Sequence, residues 1–478
     1  MRKRSILIGV LPSIFFITGC GDDTSGPPPG GQTDGGGDSA SDGTVTPDSG
    51  SEAALSTDAS DGSVTTDGSN DAAVTPDASD SGLDAGDAGQ APVNAVYTTS
   101  NSATGNAVLG FVRASDGTLT PMAAPFATGG NGSGASLGEQ GAIAYDTSAN
   151  RIYTVNAGDN SFSILPVNYD GTLGTAVKVS AASASLVGPK SITFSGNTLY
   201  VLYEGNVTTP SMIAGYTVTN AVGAPTATPI ANSALPLSST TESVDPAQIQ
   251  FTPDGKWLVV TEKQSGGGVS VSGPGAIDTF GVDATGLATA KGSYPTASAG
   301  IDAGVQLTPY GFAFVGSYLI VSEAGSTGVG SYTYAGGAIA PVAPASGGSQ
   351  FLPTDPAPCW VASASNWAYV ANAKGPDVSG YTVSAMSGGL TNIGTRANAV
   401  VATTGKTVVT DAGPAFEGPN DEFVSADGKF LYVLNSAVPS IGIFLIDPDG
   451  TLTRVGAADY TPSAAGALPV GAVGIVAR

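Results

Sequence analysis

Seven copies of one strand-and-turn pattern lie between residues 95 and 452, and this repeat constrains the fold more than any other feature of the chain. In the last and clearest copy, a turn at residues 427–429 precedes an apolar strand at 430–435, and a second turn follows at 449–452. When Tyr432 is taken as the anchor, successive equivalent positions lie 47 to 63 residues apart. The other anchors are Tyr97, Tyr153, Tyr200, Val259, Ile320 and Tyr369. A period of this size is typical of an array or a propeller.

Each anchor lies in a short run of β-branched and aromatic residues bounded by Gly, Asn, Asp or Ser, which is the composition of a strand. No stretch beyond the N-terminal region sustains the 3.6-residue period of a capped helix. A unit of about 56 residues holds four strands and their loops, which is one propeller blade. The sequence Asp-Gly-Thr-Leu at 116–119, 170–173 and 449–452 predicts a tight turn between outer strands. We therefore expect an all-β, seven-bladed β-propeller.

The two ends of the repeat region predict how the ring closes. Blade 1 lacks an inner strand before Asn94, whereas the chain ends in an apolar run at residues 469–477 with no blade of its own. We expect this C-terminal strand to pair into blade 1, because closure covers strand edges that would otherwise promote aggregation.

The N-terminus has the pattern of a targeting segment. Three basic residues precede an apolar stretch that is too short to span a membrane, and the stretch ends in Ile17-Thr18-Gly19-Cys20. This tetrapeptide resembles the lipobox of bacterial lipoproteins, which implies that residues 1–19 are a signal peptide and that Cys20 is lipidated. Acyl chains on Cys20 would hold the protein on a membrane lipid surface without a spanning helix. Because Gly21 follows the cysteine, we expect the outer membrane of the envelope, with the protein facing the periplasm or the cell surface.

Residues 20–91 form a tether, and residues 92–478 form the propeller. From residue 21 to residue 91 the chain has 14 Asp, one Glu and no aromatic or basic residue. Such a composition cannot bury enough apolar surface to offset chain entropy, so we expect a disordered linker. The propeller also carries a negative net charge, with 24 acidic and 13 basic residues, which argues against nucleic acid as a partner.

The composition excludes several kinds of chemistry. The chain has no histidine, which removes Ser-His-Asp catalysis, Cys-His catalysis and histidine zinc sites. No nucleotide-binding glycine motif follows a strand, so neither a cofactor nor a metal is expected. If Cys20 is lipidated, Cys359 has no intrachain partner and is predicted to be a buried thiol on an inner strand.

Propeller geometry places a candidate ligand site at the mouth of the channel where the inner strands begin. The residues that follow the opening proline of each blade, or its equivalent, are predominantly polar or aromatic. The candidate binding residues are Lys190, Gln248, Tyr310, Trp360, Asn420 and Asp421, and Gln140, Ala247 and Cys359 belong to the same ring. Lys190 is the candidate for pairing with an anionic ligand.

Two acidic residues occupy a position that is Asn in other blades. Glu262 and Glu323 end the second strands of blades 4 and 5, where the equivalent residues of blades 2, 6 and 7 are Asn156, Asn372 and Asn435. Two neighbouring carboxylates could share a proton or bind a cation. The alternative is structural, in which these side chains hydrogen-bond the loop at the strand end. Glu262, Glu323 and Lys190 are therefore the candidates for catalysis.

Several of these segments resemble one enzyme family. The runs at residues 246–256, 309–314 and 358–362, with the Tyr-Val-Leu-Asn strand at 432–435, are similar to the lactonase-type seven-bladed propellers. That family includes 6-phosphogluconolactonases of the cycloisomerase type and 3-carboxymuconate lactonising enzymes, and the related Tyr-Val-Thr-Asn repeat propellers share the strand pattern. The resemblance implies His, Arg and Glu at the channel mouth. Here histidine is missing and no arginine lies in the predicted ring.

Two functions remain open from the sequence. The first is a surface propeller with degenerate catalysis that binds a ligand or a surface protein. The second is a lactonase or cycloisomerase acting on a small acidic lactone in the envelope. Fold analogy alone does not decide between them, and no sequence feature sets an oligomeric state.

Overall fold

A computed structural model describes residues 93–219, 224–263, 275–295, 307–325, 328–342, 351–354, 357–375, 377–394, 400–403, 407–410, 413–416, 418–435, 439–457, 459–462 and 467–478. Across these ranges the regular structure is β-strand, with two 3₁₀ turns at Ala157–Asp159 and Ala335–Gly337. Among the same residues no helix is long and apolar enough to cross a membrane. The predicted signal peptide, Cys20 and the tether lie outside the described residues.

The strands are numbered in chain order, and in the described part of the chain they form seven antiparallel sheets of four or five strands, or blades, and one separate two-stranded sheet. Blade 1 contains β1 (Ala95–Thr99), β2 (Ala107–Arg113), β3 (Leu119–Pro121), β4 (Phe126–Ala127) and the C-terminal β34 (Val473–Ala477). Blade 2 contains β5 (Ile143–Asp146), β6 (Arg151–Asn156), β7 (Ser161–Pro166) and β8 (Val177–Ser180). Blade 3 contains β9 (Pro189–Ser195), β10 (Thr198–Tyr203), β11 (Met212–Thr219), β12 (Thr226–Pro229) and β13 (Leu235–Pro236). Blade 4 contains β14 (Pro246–Phe251), β15 (Trp257–Glu262), β16 (Ala276–Val282) and β17 (Ala288–Pro295).

The remaining blades follow the same plan. Blade 5 contains β18 (Pro309–Val315), β19 (Tyr318–Glu323), β20 (Gly328–Thr333), β21 (Ala340–Pro341) and β22 (Phe351–Pro353). Blade 6 contains β23 (Pro358–Ala364), β24 (Trp367–Asn372), β25 (Asp377–Val383), β26 (Leu390–Asn392) and β27 (Val400–Thr403), and a separate hairpin is formed by β28 (Thr407–Thr410) and β29 (Gly413–Phe416). Blade 7 contains β30 (Pro419–Val424), β31 (Phe430–Asn435), β32 (Ser440–Ile446) and β33 (Leu452–Arg454).

The ring closes as the sequence predicts. The C-terminal β34 is the inner strand of blade 1 and pairs antiparallel with β1, with Val96 opposite Ala477. Each inner strand contacts the inner strand of the next blade, from β34 through β5, β9, β14, β18, β23 and β30 and back to β34. Arg113 of blade 1 reinforces the closure, because its guanidinium lies 3.2 Å from Asp427 of blade 7 and donates to the carbonyl of Arg478 at 3.1 Å.

Apolar side chains fill the spaces between blades. In the described residues there are seven clusters, one centred on each pair of neighbouring blades. All seven anchors lie on the second strand of their blade and are buried. Alternating strand residues therefore pack on opposite neighbours, so a blade has no core of its own and depends on both adjacent blades.

The inner strands of blades 3 to 7 begin with a proline and a β-bulge, which positions the channel mouth. In blade 4, Pro246 lies opposite Glu262, but Gln248 lies opposite Thr261, so the residue between them is the extra one. Blades 5, 6 and 7 have the same irregularity after Pro309, Pro358 and Pro419. Proline has no N–H to give to a ladder and tolerates the first position of a strand, while a bulge redirects the side chains that follow it.

Candidate functional site

The predicted ring residues do lie where the inner strands begin, but they are not open to solvent. Each of the six candidate binding residues is less than a tenth exposed. The exposed fractions are 1% for Lys190, 5% for Gln248, 0% for Tyr310, 1% for Trp360, 7% for Asn420 and 2% for Asp421. These side chains therefore form the packed interior of the mouth and not an accessible rim.

The mouth is occupied by the chain itself, at residues 138–140, which precede the inner strand of blade 2. The carbonyl of Glu139 accepts a hydrogen bond from the indole nitrogen of Trp360 at 2.7 Å, across the ring in blade 6. The carboxamide of Gln140 donates to the carbonyl of Val361 at 2.8 Å and accepts from its N–H at 3.0 Å. We call residues 138–140 the plug segment. It holds the groups that a ligand at this mouth would use.

Glycines allow the plug segment to cross the channel mouth. Gly138 and Gly141 flank the side chains of the plug segment and have φ values of +57° and +88°, which favour glycine. Gly311 of blade 5 leaves room for the plug, because a Cβ there would lie 2.1 Å from the Gln140 carboxamide oxygen. Lys263 adds a further hydrogen bond of 3.1 Å to the carbonyl of Gly138.

Lys190 is a buried, ion-paired residue and not a surface lysine. Its ammonium lies 3.1 Å from a carboxylate oxygen of Asp245 and 3.5 Å from Glu204. The same Asp245 oxygen lies 2.9 Å from the ammonium of Lys263. The expected cation for an anionic ligand is therefore already neutralised by carboxylates of the protein.

The two aromatic candidates pack on each other. The rings of Tyr310 and Trp360 meet edge to face, with centroids 5.7 Å apart and planes at 75°. The ammonium of Lys263 lies 5.1 Å from the centroid of the Tyr310 ring, within the range of a cation–π contact. Both rings are buried by these contacts and by the plug segment, so neither is accessible to a ligand.

Gln248 and Asn420 satisfy backbone groups of neighbouring inner strands. Gln248 accepts from the N–H of Phe312 at 2.6 Å and donates to the carbonyl of the same residue at 3.1 Å. Asn420 donates to the carbonyl of Ala472 at 2.8 Å. An inner strand has a ladder partner on one side only, so its channel-facing backbone groups need side-chain partners when they are buried.

Asp421 is a buried acid with a similar structural task. Its carboxylate accepts hydrogen bonds from the N–H groups of Glu422 at 2.8 Å and Ile475 at 3.2 Å. Burial nevertheless raises the pKa of Asp421. Burial also raises the pKa of Glu139 in the plug segment, and the nearby Asp421 raises it further while Lys190 and Lys263 oppose this effect. Glu139 was not singled out from the sequence.

Glu262 is held by blade 4 and the loop beside it. Its carboxylate accepts from the N–H of Ser238 at 2.9 Å and is 2.5 Å from the hydroxyl of Ser238. Burial raises the pKa of Glu262, and the neighbouring Asp278 carboxyl raises it further. The carboxyl paired with Glu262 is therefore Asp278 of the next strand, and not Glu323 as the sequence suggested.

Glu323 is also internal. It is completely buried and accepts a hydrogen bond of 2.8 Å from the phenol of Tyr332. Burial raises the pKa of Glu323 to about 8. The equivalent Asn372 donates to Asp377 at 2.7 Å and Ser379 at 3.0 Å on the following strand. Residues at this position thus fasten the second strand to the third through side-chain partners.

Cys359 is buried on its inner strand, as expected, but it is disulfide-bonded. The expectation of a thiol without an intrachain partner is wrong for this structure. The chain has one other cysteine, Cys20, which lies outside the described residues.

A cavity of about 470 Å³ lies in the central channel beneath the plug segment. All seven inner strands contribute to its wall, and Gln140, Gln248, Gln250, Asp421 and Glu422 are among its polar residues. The catalytic candidates Glu262, Glu323 and Lys190 are not on this wall. Within the described ranges no group of three or more Cys, Asp or Glu side chains is placed to hold a metal ion.

Comparison with solved structures gives the same architecture. The fold is a seven-bladed β-propeller, which this chain shares with solved proteins described as candidate 6-phosphogluconolactonases. A protein from Bacteroides fragilis described as a candidate 6-phosphogluconolactonase matches with a TM-score of 0.54 and 17% identity, over 81% of this chain and 98% of its own. One from Bacteroides uniformis with the same description gives a TM-score of 0.56 and 15% identity, over 81% and 100% of the two chains.

The same fold is similar to a protein of different description. A hypothetical selenium-binding protein from Sulfolobus tokodaii matches with a TM-score of 0.53 and 10% identity, over 82% of this chain and 94% of its own. No family model and no curated protein sequence matches the chain. At these identities the likeness concerns the fold, and the site must be argued from its own residues.

Proposed function

We propose that this chain is an envelope-anchored propeller that binds a ligand or a protein partner and does not carry out lactonase chemistry. The observation that carries the proposal is the plug segment. Its Glu139 and Gln140 occupy the hydrogen-bonding groups of the mouth at which the sequence places a ligand site.

The chemistry of the buried groups supports a non-catalytic role. Opening a lactone needs a proton donor or base within reach of the substrate and a group that stabilises the developing negative charge. Lys190 is held by Asp245 and Glu204, and Glu262 by Ser238. A substrate would have to displace these partners, each of which would leave a buried charge or polar group unsatisfied.

A lactonase or cycloisomerase remains the second candidate, and one observation favours it. Glu323 has a pKa of about 8, and an acid–base group works best when its pKa lies near the operating pH. Glu323 could reach a substrate only if the interior of blade 5 opened, because its side chain is completely buried.

A lactone panel tests the proposal. The purified protein would be assayed with sugar lactones, an acidic lactone and simple aliphatic lactones, and acid release would be followed in a pH-stat. We expect the background rate throughout. Turnover that disappears in Glu323→Gln, Glu262→Gln or Lys190→Ala, in a variant whose circular dichroism and melting match those of the parent, would overturn the binding-only proposal.

The anchor is part of the same proposal and depends on the sulfur of Cys20. A sulfur atom that carries a diacylglyceryl group in a thioether cannot also be in a disulfide. We therefore propose that the processed lipoprotein has Cys359 as a thiol, and that a disulfide at Cys359 belongs to a chain that has not been lipidated. The lipobox resemblance at residues 17–20 supports this proposal.

A further inference from the structure

We propose that the central cavity binds a small uncharged molecule rich in hydroxyl groups, of about the size of a monosaccharide, which enters from the mouth opposite to the plug segment. The inference rests on the proposed binding function and gives that function a site and a ligand class.

The shape of the cavity suits a small ligand. Its volume of about 470 Å³ falls within the range of roughly 300–1,000 Å³ that is usual for small-molecule pockets. Gln140 of the plug segment lies at one end. At the other end the wall includes Ser195, Pro253 and Phe423, which are half-buried or exposed, and Phe423 is 37% exposed. Access is therefore from the ends of the inner strands that lie furthest from the plug.

The wall favours a ligand without charge. No lysine or arginine belongs to it in the described part of the chain, so an anion would find no counter-charge. Its two acids, Asp421 and Glu422, accept hydrogen bonds from backbone N–H groups, including that of Ala362 at 3.1 Å from Glu422. Burial also raises the pKa of both carboxyl groups, which reduces their negative charge near neutral pH. Burying a charged ligand here would cost its hydration without a compensating partner.

The wall also offers the two kinds of contact that a sugar ring needs. Gln250 is half-buried, its carboxamide oxygen accepts from Gln248 at 3.2 Å, and its amide nitrogen donates to no described residue. That nitrogen is available to a ligand hydroxyl or carbonyl. Phe423, which is 37% exposed, adds aromatic surface to the same wall, on which the C–H face of a ring can pack.

Binding to the purified protein would be measured by ligand-observed NMR and isothermal titration. The probes would be glucose, galactose, glucono-lactone and inositol, with gluconate and 6-phosphogluconate as the matched anions. We expect at least one uncharged probe to bind and the anions to bind at least tenfold more weakly. Gluconate also differs from the lactone in its open chain, so glucuronate, which keeps the ring of glucose and carries a carboxylate in place of the hydroxymethyl group, is added to isolate the charge.

Two variants locate the site. Gln250→Leu removes the available donor and should weaken binding about tenfold. Ser195→Trp narrows the open end and should abolish binding or slow it strongly. Thr228→Val on the outer strand β12 and Asn197→Trp, an exposed neighbour of Ser195 that is not on the wall, are the matched controls and should bind as the parent does.

The outcomes separate this inference from the function on which it rests. No binding of any uncharged probe, or tighter binding of the anions, would overturn the inference. Binding that survives both Gln250→Leu and Ser195→Trp would place the ligand elsewhere and overturn the inference, while the binding function would stand. Turnover in the lactone panel that disappears in Glu323→Gln, Glu262→Gln or Lys190→Ala would overturn the proposed function, whatever the affinity of the cavity.

Discussion

The phenol of Tyr369 donates a hydrogen bond of 2.9 Å to the carbonyl oxygen of Gly450, which joins the second strand of blade 6 to the outer turn of blade 7. The same pairing of an anchor tyrosine with a turn glycine recurs between other neighbouring blades. The equivalent bonds are Tyr97 to Gly171 at 2.6 Å, Tyr200 to Gly286 at 2.8 Å and Tyr432 to Gly117 at 3.0 Å. The anchor tyrosine of one blade and the turn glycine of the next look independent in the sequence, but in the structure they form one contact between the two blades.

Removing the Tyr369 hydroxyl tests the contribution of this contact. Tyr369→Phe keeps the buried ring but leaves the Gly450 carbonyl without its donor. An unmade hydrogen bond to a buried group costs about 1–2 kcal/mol, so we expect Tm to fall by a few degrees. Tyr318→Phe is the control, because its ring also packs against a turn glycine, Gly388, but its hydroxyl makes no hydrogen bond to a described residue. Equal melting of Tyr369→Phe and the parent would contradict the assignment.

Deleting residues 467–478 tests the closure of the ring. Every residue of β34 is buried, and its loss would uncover the edge of β1 and the cluster shared by blades 1 and 7. We expect most of the protein to become insoluble and the remainder to lose its cooperative melting transition. Deletion of residues 31–42, in the acidic segment, is the size-matched control and should leave the melting of the propeller unchanged. A truncated protein that melts like the parent would contradict closure by β34.

The repeat made the fold predictable because the residues that define a blade are close together in sequence. The anchor, the turn and the strand end recur within each repeat unit, and a strand such as β31 can be predicted from its own composition. The strand that closes the ring could also be predicted, because blade 1 lacks an inner strand and the apolar run at residues 469–477 has no blade of its own. Apart from the closure of the ring, the prediction of the fold did not depend on contacts between residues that are far apart in sequence.

The site was less predictable because the repeated pattern does not show that a segment of the chain crosses the channel mouth. Gln140 was assigned to the ring from its position in blade 2, but Glu139 was not, and neither residue indicates from sequence that its partners lie in blade 6. The partners of Lys190 are Glu204, which follows the neighbouring strand of the same blade, and Asp245, which precedes the inner strand of blade 4, so the pairing depends on strand register and blade packing that the repeat does not specify. The pairing of Gly138 with Gly141 around two polar residues is the one local signal that could have indicated a crossing segment.

The lipid anchor predicts a specific chemical state of each cysteine. In cells fed an alkyne fatty acid, we expect the parent and Cys359→Ser to be labelled and to fractionate with membranes. Cys20→Ser should lose the label and the membrane association. The processed, denatured parent should react with one maleimide, at Cys359, because the Cys20 sulfur is blocked by its thioether. Label that persists in Cys20→Ser, or a processed protein without a reactive thiol, would contradict the anchor.

Buried carboxyl groups predict that the propeller is less stable in alkaline than in mildly acidic solution. The pKa of Glu323 is about 8 in the folded chain and near its ordinary 4.5 when unfolded, so the folded state binds the proton more tightly. The stability that this proton contributes is complete below about pH 4.5 and is lost as pH rises to about 8. We expect Tm to fall across that window, and Glu323→Gln, which cannot titrate, to flatten the slope. Thr228→Val, which removes no titratable group, is the control and should keep the slope of the parent. A slope unchanged by Glu323→Gln would show that this carboxyl does not hold its proton in the fold.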